Sequence, residues 1–264
     1  MPLRLRILLI IAVSCLLSLL FFSIFWLASQ SFILSVQLLT FYVITAGYFL
    51  FVYVPRFDPT GLTLWRLKTK HKLIALTFDD GPSLYTKEVL EIMAKYKIKA
   101  TFFFLGENAQ RHPDIVAQTR TMGHAIGSHG FSHHKMHRLN EAEISREFTM
   151  SAAILAPIAK VRNHALLRLP HGFKSITLMR CIRKYGYQLI AWTSGVWDSE
   201  RPIPAVLVRR LQKALKPGAI ILLHDGDGIN PDLDRSSTVT ALSEFIPFAQ
   251  HSGYKFVTIP ELFA

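Results

Sequence analysis

Three patterns of hydrophobic spacing follow one another along the chain. The first is a long apolar tract, with no charged residue from Ile7 to Val54. It far exceeds the roughly 20 residues that one helix needs to cross a bilayer. The polar cluster Ser29-Gln30-Ser31, with Trp26 just before it, divides the tract. The spacing predicts two spanning helices, near 7–28 and 32–54, joined by a tight turn. Pro55 ends the second, and Tyr48 and Tyr53 fall near its interface. A cleaved signal peptide headed by Arg4 and Arg6 is the other reading. The tract is long for one, and no small-x-small site clearly closes it.

The second pattern is a linker, residues 55–71, with Pro55, Pro59 and Gly61 and the basic residues Arg56, Arg66, Lys68 and Lys70. The third fills residues 72–264, where short apolar runs alternate with amphipathic stretches. Strands are expected at Lys72–Phe78, Ala100–Leu105, His124–Gly127, Leu166–Leu169, Gln188–Thr193, Ala219–Leu223 and Phe256–Ile259. Helical spacing appears around Val89–Met93, at Ile115 and Val116, and over Glu141–Leu155, Ala205–Leu215 and Val239–Ala249. Strand–helix alternation of this length implies an α/β domain with a largely parallel sheet, open and doubly wound or closed as a barrel. In such folds the C-terminal strand ends line the site. Asp79, Asp80, His129, Arg168, Asp198 and His224 all fall at or beyond such ends.

Composition narrows the class. Half of the residues are hydrophobic and 18% are charged, against about 25% in a soluble domain, which agrees with a membrane segment. Two cysteines, Cys15 inside the apolar tract and Cys181, exclude a disulfide scaffold and thiolate metal binding. The formal charge is +12, and Arg4 and Arg6 supply two of it, leaving +10 after the tract. The basic residues are scattered, with no nucleic-acid module, so no nucleic-acid partner is expected. Membrane lipids with anionic headgroups, or an acidic lipid-linked sugar, account for the charge equally well. Positive residues flank both ends of the tract, which leans both ends toward the cytoplasm. Protein partners are left open.

The chemistry-bearing residues form a pattern. Thr77-Phe78-Asp79-Asp80-Gly81-Pro82 places two carboxylates at a strand end, with Gly-Pro to turn the chain. His129-Gly130-Phe131-Ser132-His133 spaces two imidazoles at i and i+4, so that one helical turn brings both to a single ion with Asp80. Two histidines and a carboxylate leave an open coordination position, as in catalytic zinc sites. Asp79 is placed to take a proton from water and His224 to protonate a leaving amine. Arg168 is placed to fix Asp79 by a charge-assisted hydrogen bond. His124, His134 and His137 are expected at the surface or behind the ligands.

These motifs resemble the NodB-type polysaccharide deacetylases of carbohydrate esterase family four, over about residues 72–262. Thr77 to Pro82, His129 to His133 and Leu222-Leu223-His224-Asp225 match closely. Arg168-Leu169-Pro170-His171-Gly172 and Trp192 to Asp198 match in part. The resemblance implies a distorted (β/α) barrel behind the transmembrane hairpin and a divalent metal, usually zinc. It implies Asp79 as base, Asp80, His129 and His133 as ligands, and His224 as acid. The implied reaction removes an N-acyl group, acetyl first of all, from an amino sugar of a polysaccharide, peptidoglycan or lipid-linked glycan, in a protein of the inner (plasma) membrane.

Two departures stand out. The family's Arg-Pro-Pro-Tyr-Gly reads Arg-Leu-Pro-His-Gly here, so the oxyanion N–H falls to His171, flanked by Pro170 and Gly172 in the substrate wall. The aspartate that the family offers three residues after Trp192 is Gly195 here, and Asp198, which also aligns with a family carboxylate, is expected to orient His224 in its place. Trp197 reads equally as a sugar platform or as core packing. The departures motivate an alternative, a non-catalytic membrane protein that keeps the fold to bind glycan or a partner.

Overall fold

The structure, a computed structural model, describes residues 3–28, 32–159, 165–228, 230 and 233–262. It divides into two compact units, Met1–Val52 and Tyr53–Ala264. The first holds helix α1 (Leu3–Ala28) and most of α2 (Phe32–Tyr53). Leu16 is 72% exposed and Phe32 83%, so these are not core helices of a soluble protein. Among the described residues, Phe32–Tyr53 is the one helix long and apolar enough to cross a membrane, and Val13–Trp26 is a shorter apolar stretch within α1. The two helices touch where Ser18 Oγ lies 3.1 Å from Tyr42 Oη and the Phe21 and Tyr42 rings stack at 4.7 Å. The expected turn at residues 29–31 lies outside the described residues.

The second unit is an α/β fold. Its elements run β1 (Thr63–Leu64), β2 (Leu73–Asp79), α3 (Leu84–Lys95), β3 (Thr101–Phe104), α4 (Gly106–Arg111), α5 (Pro113–Thr121), β4 (Ala125–Ser128), α6 (Glu141–Ala159) and β5 (Leu166–Leu167). They continue with α7 (Ile176–Lys184), β6 (Gln188–Ile190), β7 (Ser194–Gly195), α8 (Pro204–Ala214), β8 (Ile220–His224), α9 (Ser236–His251) and β9 (Lys255–Phe256). Every strand pairing is parallel, in the order β1-β6-β5-β4-β3-β2-β8-β7, with β9 added to β2. The path has two ends, so the sheet curls into a distorted (β/α) barrel with a seam.

Period-2 alternation sorts the side chains of β2. Ile74, Leu76 and Phe78 join the core beneath α3, α8 and α9, with Leu90, Met93, Leu207, Leu211, Leu242 and Phe245. Ala75 instead packs with Phe103, Leu166, Ile190 and Ile220 inside the curl. Asp79 shares the parity of Ala75 and Thr77, so strand geometry alone sends its carboxylate into the barrel. Ser83 caps α3 in a reciprocal capping box with Thr86, and that helix start lies just beyond the two aspartates.

The segment expected as a linker is part of the folded unit. Asp58 accepts hydrogen bonds from the N–H and hydroxyl of both Thr60 and Thr63. That hook leads into β1, which pairs with β6. Beyond β1 the chain crosses the seam: Ala191 N donates to Leu64 O, Thr193 Oγ1 to Trp65 O, and Leu67 N to Gly218 O ahead of β8. Two-residue strands leave no periodicity to read, which is why β1 and β7 went unforeseen. The seven expected strands are present, shorter or shifted by a residue or more.

Candidate active site

The rim at the C-terminal strand ends brings the expected residues together. Asp79 closes β2, Asp80 follows it, His129 follows β4, Arg168 follows β5, and His224 closes β8. The turn after the aspartates begins one residue earlier than Gly-Pro: Asp80 itself adopts φ 72°, and both carboxylates face His129 Nε2, Asp79 Oδ2 at 3.9 Å and Asp80 Oδ1 at 3.3 Å.

Arg168 has no solvent exposure. Its Nη1 donates to Asp79 Oδ1 at 2.8 Å and to Thr77 Oγ1 at 2.7 Å. Its Nη2 and Nε reach the carbonyls of Ala191 and Ile190 at the end of β6, and its guanidinium lies 4.2 Å over the Phe103 ring. One cation therefore ties β2 to β6 across the barrel interior, strands that are not neighbours in the sheet. The Arg168 carbonyl also faces His129 Nδ1 at 2.9 Å. A carbonyl only accepts, so Nδ1 carries the hydrogen and the Nε2 lone pair is left for a metal.

That lone pair converges with two others. Asp80 Oδ1 lies 3.3 Å from His129 Nε2 and 3.2 Å from His133 Nε2, and the three residues form a group able to hold an ion. Ligand atoms about 2.0–2.1 Å from a tetrahedral zinc stand about 3.3 Å apart. Asp80 Oδ1 is buried and takes no hydrogen bond from a described residue, as expected of an atom reserved for a cation. Burial opposes its charge, yet the two imidazoles hold the Asp80 carboxyl well below its ordinary range.

The His-x-x-x-His segment is a loop and not the helical turn expected from its spacing. Gly130 (φ 83°) and His133 (φ 59°) are left-handed, and these two reversals bring the second imidazole back to the first. A β-carbon on Gly130 would sit 2.5 Å from Met136. Glu147 of α6 holds the loop in this shape. Its carboxylate accepts from Phe131 N, Ser132 N and Ser132 Oγ, and contacts His134 Nδ1.

His224 Nδ1 lies 2.9 Å from Asp198 Oδ1, and Asp198 Oδ2 accepts the His224 N–H at 2.7 Å and the Thr238 hydroxyl at 3.2 Å. Asp198 thus fills the place that Gly195 leaves empty. It stands in a 3-10 turn, Asp198–Glu200, that follows Trp197 at φ 60°. Burial opposes the imidazolium, but the Asp198 charge and hydrogen bond prevail and raise His224 to about 9, with Asp80 and Asp79 adding to the shift.

The third motif forms a 3-10 turn, Pro170–Gly172, in which His171 (φ 63°) and Gly172 (φ 72°) are both left-handed. The His171 ring sits 4.7 Å from that of His133. Trp192 lies 5.9 Å from the Arg168 guanidinium and fills the space a Gly172 side chain would need. Trp197 is half-buried. His124, expected at the surface or behind the ligands, is buried, its Nδ1 accepting from Ala100 N at 3.1 Å. Burial lowers it to about 4, so it is neutral at physiological pH.

This constellation has relatives. A family model described as polysaccharide deacetylase matches residues 66–190. A peptidoglycan-N-acetylglucosamine deacetylase of Bacillus cereus is 34% identical over 208 residues, 78% of this chain and 94% of the relative. The chain belongs to the polysaccharide deacetylase family. It is a metal-dependent hydrolase acting on carbon–nitrogen bonds other than peptide bonds. A chitooligosaccharide deacetylase of a Bradyrhizobium species is 32% identical, the match covering 72% of this chain and 90% of the relative. The crystal structure of a peptidoglycan N-acetylglucosamine deacetylase, in complex with an N-hydroxybenzamide, superposes with a TM-score of 0.71 at 29% identity, over 76% of this chain and 92% of that one. A family-four pseudoenzyme from Bacillus anthracis superposes at 0.68 with 26% identity, over 76% and 69%.

Sequence reasoning missed the supports of this deacetylase site. Besides Glu147 they include Asn108, whose Nδ2 donates to Asp80 O, and buried Arg235, which holds Gly226 O and Asp227. Asn108 lies on a short helix after β3 and Arg235 ahead of α9. No local pattern marks either: Asn108 acts on the main chain 28 residues away, and Arg235 lies in an irregular loop without periodicity.

If Asp80, His129 and His133 hold the ion, His129→Ala and His133→Ala each lose bound metal and activity together. Metal analysis of the purified full chain checks this, and one ion per chain in both variants would overturn the assignment.

Proposed function

We propose that this deacetylase removes N-acetyl groups from an N-acetylglucosamine-containing glycan, with Asp79 as base and His224 as acid. The observation that carries the reading is the pairing of two differently prepared groups on one rim. Asp79 is a carboxylate fixed by a buried guanidinium, and His224 is an imidazole kept protonated by a buried carboxylate. The names of the relatives, acting on peptidoglycan and on chitooligosaccharides, support the sugar. A divalent cation, zinc in our reading, supplies Lewis acidity that polarises the amide carbonyl and makes water more acidic.

The chain's own groups then act in order. Asp79 accepts the proton of the attacking water, while Arg168 prevents its carboxylate from rotating away. The N–H of His171 donates to the developing oxyanion, a role that needs only main chain, so the replacement of tyrosine by histidine does not remove it. His224 gives its proton to the departing amine, and Asp198 stabilises the imidazolium and fixes its tautomer. Acetate and a free amino sugar leave. Pro170, Gly172, Trp192 and Trp197 form the wall and edge of the sugar site in this reading.

We further propose that Phe32–Tyr53 anchors the protein in the plasma membrane, with α1 as the second arm of a hairpin and headgroup lipids against the basic surface. A reporter fused after Ala264 and active on one side of the membrane only tests the orientation. A signal on the outer side supports a cell-wall glycan. A cytoplasmic signal redirects the assay to polyprenyl-phosphate-linked sugars.

The central test is Asp79→Asn, which keeps size and removes the base. Activity on N-acetylglucosamine oligomers should fall by at least about a thousandfold, at the upper part of what general base catalysis contributes, with bound metal unchanged. An active variant would remove Asp79 from the mechanism. The acid has its own signature. His224 donates only when protonated, so activity is retained below its pKa and is lost as pH rises through about 9. Asp198→Asn withdraws the charge that opposes burial, and the alkaline limb of the kcat profile should move down by a unit or more. An unmoved limb at the same metal loading would separate His224 from that limb.

A further inference from the structure

The loop that carries the His171 N–H is bound along its length to the segment that leaves the apolar helix. Lys174 is 1% exposed, and its Nζ donates to the carbonyls of Val54 at 2.9 Å, Pro55 at 2.9 Å and Phe57 at 2.8 Å. An ammonium group has three hydrogens, and these three carbonyls match them. One residue earlier, the Phe173 ring packs edge-on against Tyr53 at 5.2 Å. One residue earlier again, Gly172 lies so close to Pro55 that a β-carbon would stand 2.9 Å from its ring. Downstream, Asp58 gathers Thr60 and Thr63 into the turn that feeds β1. Residues 53–63 thus form a hook, fixed to the barrel at one end by β1 and to the catalytic loop at the other by Lys174.

We propose that Lys174 is a positioning residue that ties the oxyanion loop to this hook, so that the segment leaving the apolar helix is part of the catalytic apparatus. Two successive left-handed residues are a conformation that a β-carbon disfavours at His171. The loop keeps it only while its flanks are fixed. The upstream flank is Arg168, already fixed inside the barrel, and the downstream flank is Lys174. A loosened downstream flank lets the His171 N–H leave the position where negative charge develops. Such a change weakens transition-state binding and leaves ground-state binding of the sugar nearly as it was.

The inference rests on the proposed role of the His171 N–H, and its test separates the two. Full-length Lys174→Met, which keeps the length and loses the donors, is compared in detergent with the unaltered chain, Asp58→Ala and the double variant. We expect kcat to fall about tenfold or more in Lys174→Met, with KM within about twofold and bound metal unchanged. Asp58→Ala should lower kcat in the same direction, and the double variant should be no worse than Lys174→Met, because both changes act through one element. Hydrogen exchange of peptides covering residues 168–175 should rise in Lys174→Met. An unchanged kcat together with unchanged exchange, or additive losses in the double variant, overturns the positioning role. A loss of metal and fold in step with activity overturns it too, by making Lys174 purely structural. If exchange rises while kcat holds, the tie is real and the oxyanion role of His171 is what fails. If the unaltered chain shows no deacetylation, the functional reading fails, and the exchange measurement alone decides the tie.

Discussion

A guanidinium without access to water is the constraint around which this barrel is organised. Removing a charge from water costs several kcal/mol even after relaxation, and Arg168 offsets that cost only by satisfying its donors at once. It does so with Asp79, Thr77 and two carbonyls at the end of β6. Losing one member of such a buried pair typically costs about 3–5 kcal/mol. The same residue sets the tautomer of His129 through its carbonyl. One arginine therefore fixes both the Asp79 carboxylate and the His129 imidazole, and neither can drift without the other.

Around that centre the backbone is bent against its preference. Of the six non-glycine residues described with positive φ, four are Asp80, His133, His171 and Trp197, all at the site. Each costs of the order of 1–3 kcal/mol, and each is flanked by a group that holds it. Glu147 binds the loop before His133, Asn108 binds the Asp80 carbonyl, and Asp198 anchors the turn after Trp197. Strain of this kind places side chains where strands and helices alone would not send them.

The chemistry was legible in the chain because it lies in contiguous motifs at strand ends, where alternation predicts which residues face inward. Asp79 and His224 needed nothing more. The His129–His133 spacing pointed to two imidazoles that do converge with Asp80, but by another route than the one expected. The i, i+4 rule holds for helices, while here a glycine and a left-handed histidine fold the loop back. Asp198 was legible as the carboxylate that closes the Trp192–Asp198 motif once Gly195 stood in the usual place. Glu147, Asn108 and Lys174 were not legible, since each acts by hydrogen bonds to main chain, which carries no residue identity for a sequence to display. The composition of 55–71 suggested a linker because proline, glycine and lysine mark irregular backbone, whether or not it is packed.

The seam has a bearing on how the protein is made. Thr63 and Leu64 emerge from the ribosome before any other strand, yet their partners are Leu189 and Ile190. Until those arrive, β1 lacks its partner strand, and the contacts that residues 64–67 make across the seam, to Ala191, Thr193 and Gly218, are without their frame. Contacts so distant in sequence are slow to form, and a strand left open invites pairing with another chain. Here that waiting strand is two residues long and follows a stretch with Pro55 and Pro59, features that make an exposed edge a poor template for association.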